Sequence, residues 1–277
     1  MKKKTLIPLI IICILGLLLI TYPLISTYYY NKKNNENIDN YQEVIKTYDE
    51  EKSKEILDKA YSYNKELLKR KDNFKLDKNL KEKYDSTLNL NNDGTMGYLE
   101  IPKIDVKLPI IHDSKEETLS KTVGHLKWSS LPVGGESTHA VLSTHNGLIT
   151  NRLFTDLWKL QEGDRFTIYV LNERLVYEVD QIKTVLPTNY EDLYIEEGKD
   201  LVTLITCTPY GINTHRLLVR GHRIDDNKEF SGWNPNGYEL NKFIQAAIMS
   251  IIPLLIFITI IIIKNKKTKK KYQLNKD

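Results

Sequence analysis

Hydrophobic positions fall into three textures along this chain. From Leu6 to Ile25 the sequence is almost entirely apolar, broken only by Pro8, Gly16, Thr21, Tyr22 and Pro23. These 20 residues match the length an α-helix needs to cross a bilayer core of roughly 30 Å. A second apolar run of 18 residues, Ala246 to Ile263, has Ser250, Pro253 and Thr259 as its weak points and predicts another span. Between the runs, Val44, Ile45, Tyr48, Ile56, Leu57, Tyr61, Tyr63, Leu67 and Leu68 recur at spacings of about three and four. That spacing predicts one or two amphipathic helices over 38–70. The turn cluster Asn89-Leu90-Asn91-Asn92-Asp93-Gly94 closes this region.

After Gly94 the texture changes to short apolar runs rich in Val, Ile, Leu, Thr and Tyr. They cover 97–101, 104–111, 139–144, 166–171, 175–185, 201–206 and 215–224 and read as strands. Two helical pieces are expected near 115–120 and 152–160. The fold class is therefore mainly β, a barrel or sandwich with short helices. The expected organisation is an N-terminal anchor or signal (1–27), a helical region (28–94), a β domain (95–226), a linker (227–245), a second span (246–263) and a basic tail (264–277).

Charge supports this topology. The net +4 of the 277 residues is concentrated at the ends, in Lys2, Lys3 and Lys4 and in seven Lys after Ile263. The region between is net acidic, which gives no reason to expect a nucleic-acid partner. Lysines outside both apolar runs predict a two-pass membrane protein with both termini cytoplasmic and residues 28–245 extracytoplasmic. A cleaved signal is the rival for the first run, although no A-x-A-like site follows it. A cell-wall sorting tail is the rival for the second. Of the two cysteines, Cys13 falls inside the first run. Cys207 is thus the one cysteine of the exported part, either a buried inert thiol or a reactive one.

Cys207 ends the apolar strand Leu201–Thr206 and precedes a Pro209/Gly211 turn. Pairing this strand with 215–224 as a hairpin brings Arg216 back beside Cys207. His145 likewise ends a strand before Gly147 and shares a face with His139, Val141 and Ser143. A thiol, an imidazole and a guanidinium at strand ends are the parts for acyl transfer. The thiolate attacks a carbonyl, the imidazole protonates the leaving amine and the guanidinium stabilises negative charge. His139 and His215 are rivals for the imidazole, and Arg220, on the same strand face, for the guanidinium.

The segment Thr203-Leu204-Ile205-Thr206-Cys207 resembles the TLxTC signature of sortases, the membrane-anchored transpeptidases of Gram-positive bacteria. Leu131-Pro132-Val133-Gly134-Gly135, Leu153-Phe154-Thr155-Asp156-Leu157 and Cys207-Thr208-Pro209-Tyr210-Gly211 resemble the class C, pilus-assembling branch. The resemblance covers roughly residues 60–225. It implies a sortase-type eight-stranded β-barrel with an N-terminal helical and lid appendage. It implies Cys207 as nucleophile, His145 as general acid/base and Arg216 as oxyanion and substrate-positioning group. It also implies cleavage of an LPxTG-like sorting signal through a thioester, resolved by a pilin Lys to give an isopeptide bond, with pilins or other surface proteins as partners and no metal or organic cofactor.

Two departures stand out. The lid motif, usually Asp-Pro-aromatic, matches only as Asp72-Asn73-Phe74, without the proline that fixes φ. The family's usual His-Arg-Gly is His145-Asn146-Gly147 here, which removes one positive charge near the site. A sortase attaching proteins to peptidoglycan and a catalytically silent surface scaffold are the alternative functions. A papain-like peptidase fits poorly, because His145 precedes Cys207 in the chain and Cys207 ends a strand rather than opening a helix.

Overall fold

The computed structural model describes residues 3–70, 75–90, 92–148 and 150–225, with isolated positions between 245 and 263. The chain divides into two compact units, Tyr29–Pro235 and the terminal segments Met1–Tyr28 with Asn236–Asp277. The first carries the β-barrel.

Eight strands close that barrel: β1 Thr95–Ile101, β2 Val106–Ile111, β3 Val123–His125, β4 Thr138–Ser143, β5 Arg165–Val170, β6 Glu173–Val185, β7 Asp200–Thr208 and β8 His215–Ile224. Their spatial order is β1-β2-β3-β4-β7-β8-β6-β5, with β5 returning to β1. Closure leaves no free edge to template pairing with another chain. The β2/β3 and β4/β7 pairs are parallel and the rest antiparallel. Leu99, Leu142, Phe166, Ile168, Leu204 and Val219 fill the interior, each fully buried.

Three helices precede the barrel. Helix α1 runs Lys3–Lys46. Its Ile38, Tyr41 and Ile45 are buried. The Tyr41 hydroxyl donates to the Met96 carbonyl (2.8 Å) and accepts from the Leu171 N–H (2.9 Å), joining α1 to β1 and to the β5–β6 turn. Helix α2 (Glu50–Leu68) is capped by Asp49, whose carboxylate accepts from the Lys52 N–H (2.8 Å). It buries Ala60, Tyr63, Asn64 and Leu67, the spacing of one helical stripe. Helix α3 (Lys78–Ser86) is capped by Asp77 in the same way and buries Leu80 and Tyr84.

The segments of α2 and α3 dock on residues 125–131, mostly through main-chain groups. Asn64 is held to Leu131 twice, donating to its carbonyl (3.1 Å) and accepting from its N–H (2.8 Å). Tyr63 donates to the Lys127 carbonyl (3.3 Å), and Arg70 to that of Trp128 (3.1 Å). The Tyr84 hydroxyl meets His125 Nδ1 at 2.9 Å, while His125 Nε2 contacts the Ser130 carbonyl at 2.8 Å.

The seven expected strands are all present, and the eighth is the three-residue β3. The helix expected near 115–120 is α4, Glu116–Leu119. The one expected near 152–160 is instead a run of turns with a single 3₁₀ turn at Leu157–Lys159. Leu153 sits at φ +43°, outside the α region, and breaks the helical pattern at its start. Helix α3 lies where no element was expected.

Among the described residues no helix is long and apolar enough to cross a membrane. The side chains of Leu6, Ile7, Leu9, Ile10, Cys13 and Ile20, the 227–245 linker and nearly all of the second apolar run lie outside the described residues.

Candidate active site

Strands β7 and β8 form the hairpin expected from the sequence, with Cys207 paired to Arg216 and Thr208 to His215. Directly opposed residues of an antiparallel pair project to the same face, so the thiol and the guanidinium share one side of the sheet. Cys207 is a free, half-buried thiol. The Arg216 guanidinium donates to the carbonyls of Asn213 (3.2 Å) and His215 (3.1 Å) in its own loop. Its rival Arg220 pairs with Thr203, deeper along the sheet. Arg220 is committed there to Asp180 (3.0 and 3.1 Å) and Glu196 (2.8 Å).

Strand β4 lies parallel to β7 on its other side, with Ser143 level with Ile205. That register, continued two residues, brings His145 level with Cys207. Three hydrogen bonds enforce it. The Thr144 N–H donates to the Ile205 carbonyl (3.3 Å), the Thr206 hydroxyl to the Thr144 carbonyl (2.8 Å), and the Asn146 side-chain amide to the Cys207 carbonyl (2.8 Å). The last of these prolongs the β4/β7 ladder after the backbone of β4 has turned away. Gly147 makes that turn at φ +81°, and a Cβ there would lie 3.2 Å from the Tyr210 ring. The sequence marked Asn146 only as a departure from the usual arginine; its bond to the Cys207 carbonyl had no sequence signal.

The His145 side chain is 21% exposed, and its Nε2 lies 2.8 Å from Glu116 Oε1 at the start of α4. The contact is close but off the hydrogen-bond direction, so the enclosed Nε2 has no properly aligned partner. The rival histidines are placed otherwise. His139 is buried, with Nε2 on the Thr203 hydroxyl (2.7 Å) and Nδ1 on the Tyr194 carbonyl (2.8 Å). Burial holds its ring below the ordinary histidine range. His215 opposes Thr208 rather than Cys207, and its Nδ1 meets the Thr214 hydroxyl at 3.0 Å.

The face of β7 that carries Cys207 continues into a small apolar cluster of Val141, Leu193, Ile205 and Leu218, flanked by Leu126, Trp128 and Val185. The opposite face, bearing Thr206 and Thr208, borders a cavity of ≈ 430 Å³ whose walls include Asn146, Phe154, Trp158, Tyr210 and Leu217. Among the described residues no group of three or more His, Cys, Asp or Glu is arranged to hold a metal ion. Asp72 and Phe74, the expected lid residues, lie outside the described residues.

Comparison with known proteins matches residues 99–224 to the sortase domain family. Sortase C1 from Streptococcus agalactiae superposes with a TM-score of 0.67 at 47% identity, covering 69% of this chain and 100% of that one. Sortase C from Clostridium perfringens, solved with the C-terminal cell wall sorting motif, gives a TM-score of 0.61 at 43% identity over 69% of this chain and 99% of that one. Sortase A of Bacillus anthracis is 28% identical over 212 residues, 76% of this chain and 90% of that protein.

Proposed function

Because the chain belongs to the sortase family of cysteine transpeptidases, we propose that it cleaves an LPxTG-like sorting signal and joins pilin subunits through lysine isopeptide bonds. The supporting observation is the convergence of His145, Cys207 and Arg216 at the neighbouring ends of β4, β7 and β8. In this reading the Cys207 thiolate attacks the carbonyl of the signal's threonine. The Arg216 guanidinium stabilises the oxyanion, which collapses to a thioester as the following glycine leaves with a proton from His145. A lysine amine of another pilin then gives its proton to His145 and attacks the thioester. The isopeptide bond forms and the thiolate departs.

The pilus-forming branch is favoured because the class C structures match 69% of the chain, more than the 99–224 segment alone. The neighbour from C. perfringens carries a sorting motif in its own structure. The partly exposed rim of the apolar cluster below Cys207, Leu126, Trp128 and Val185, offers a surface for the leucine and proline of such a signal. The two apolar runs would hold the catalytic unit at the outer face of the membrane by both ends, with the termini cytoplasmic.

The test is incubation of the protein with a sorting-signal peptide and candidate pilins, followed by mass spectrometry. The expected products are an acyl adduct on Cys207 and a lysine-linked conjugate, both absent from Cys207→Ala. Transfer only to a peptidoglycan cross-bridge amine would replace the pilus reading. No adduct at Cys207 would remove the transpeptidase reading altogether.

A further inference from the structure

Helix α4 is a single turn, yet it is fastened to the end of β4 at several points. The Leu119 carbonyl accepts from the His145 N–H (3.3 Å) and from the Thr144 hydroxyl (2.8 Å), and the same hydroxyl contacts the Thr122 carbonyl at 2.6 Å. These bonds bring the first residue of α4, Glu116, against the imidazole, with Oε1 2.8 Å from Nε2. Neighbouring charges are engaged elsewhere, Lys115 with Asp113 (3.3 Å) and Lys121 with Glu117 (2.7 Å). Glu116 is therefore the carboxylate directed at this ring, and Nε2 has no aligned hydrogen-bond partner in the present rotamer.

We propose that Glu116 is a positioning residue for His145, the third member of a Cys–His–Glu relay. Rotation of an exposed carboxylate already at contact distance suffices to align the bond. A carboxylate on Nε2 keeps the proton on that nitrogen and leaves Nδ1 to exchange a proton with the thiol and the leaving amine. Its negative charge also stabilises the positive charge that arrives on the ring as the thiol gives up its proton. Among the described residues, the titratable and charged groups on the elements packed around His145 are Glu116 at its ring on α4, Cys207 level with it on β7 and Arg216 opposite Cys207 on β8; Leu119 and Phe154 bond its main chain. The Glu116 side chain is 82% exposed, so solvent screens the pair and the effect is modest.

The inference rests on the reading of Cys207 and His145 as the reactive pair, and its test separates the two. The rate of Cys207 alkylation by iodoacetamide is measured against pH on the full chain in detergent micelles. Wild type, Glu116→Gln, Glu116→Asp and His145→Ala are compared, together with Glu116→Gln in the His145→Ala background. The expectation is that Glu116→Gln moves the profile to higher pH by a few tenths of a unit, the range of an exposed ion pair. Glu116→Asp should restore most of the shift, and the shift should vanish in the His145→Ala background. No shift in Glu116→Gln overturns the inference. So does a shift to lower pH, which would mean that the charge acts on the thiol directly, and so does a shift that persists without His145 or an aspartate that behaves like glutamine. A His145→Ala profile identical to wild type would instead remove the pair itself.

Discussion

Replacing Asn146 by alanine deletes a single rung of the β4/β7 ladder, the side-chain amide on the Cys207 carbonyl at 2.8 Å. The Thr206 and Thr144 bonds behind it remain, so the barrel should stay closed. A lost hydrogen bond of this kind costs about 0.5–1.5 kcal/mol net, with an upper range near 3 if the carbonyl stays dry. For a chain of this size that is a fall of roughly 2–6 °C in Tm. The kinetic effect should be larger. Asn146 immediately follows His145, and releasing it lets the imidazole move relative to the sulfur. A misplacement of about 1 Å can cost on the order of a hundredfold in rate. We therefore expect single-turnover acylation by a sorting-signal peptide to slow by roughly ten- to a hundredfold, against a small thermal shift. Asn146→Asp should be worse, since it sets a carboxylate oxygen against the carbonyl. Acylation of Asn146→Ala within about twofold of wild type would refute the claim that this amide sets the His145–Cys207 geometry.

Asn64→Ala strands the N–H of Leu131 in a buried site and removes one of the two donors to its carbonyl, leaving the Val133 N–H (2.8 Å). It should cost about 2–4 kcal/mol in urea unfolding, and a loss under ~1 kcal/mol would argue that water replaces it. His125 is wholly buried, which lowers its pKa to about 3, while in the unfolded chain it titrates near 6.5. The unfolded state alone therefore takes up the proton, and stability should fall as pH drops below ~6.5, at up to ~1.4 kcal/mol per unit, until about 3. His125→Gln should flatten that slope, and identical slopes would show that the ring protonates in place. Arg216→Lys should lower transfer at least tenfold, because a point charge does not reproduce a planar fork; near wild-type transfer would deny the oxyanion role. Arg220→Met should strip Asp180 and Glu196 of the guanidinium they share, with Lys199 left on Glu196. It should lower Tm by several degrees, and an unchanged melting curve would show the network to be dispensable.

The alternation of apolar residues made β5, β6, β7 and β8 legible to within a residue or two, and with them the Cys207–Arg216 hairpin. The strand ending near His145 was legible too. Its placement beside β7 was not, since a parallel pair between residues 138–143 and 200–205 leaves no local turn to read. Strand β3 was missed because three residues cannot display a period. Helix α3 was missed because its buried face is only Leu80 and Tyr84 among lysines and acids. The Asn146 and Glu116 contacts escaped for a different reason. Each joins a loop or a short helix to a residue remote in sequence, and neither leaves a pattern in composition or spacing.

The way α2 attaches to the barrel has an evolutionary consequence. Tyr63, Asn64 and Arg70 all address carbonyls or an N–H of residues 127–131, groups that every non-proline residue supplies. The barrel side of this seam can therefore drift in sequence with little penalty, while the helix side has to retain its particular donors. Chimeras that transplant residues 50–70 onto a divergent relative should seat correctly wherever the host loop keeps its path, whatever side chains it carries.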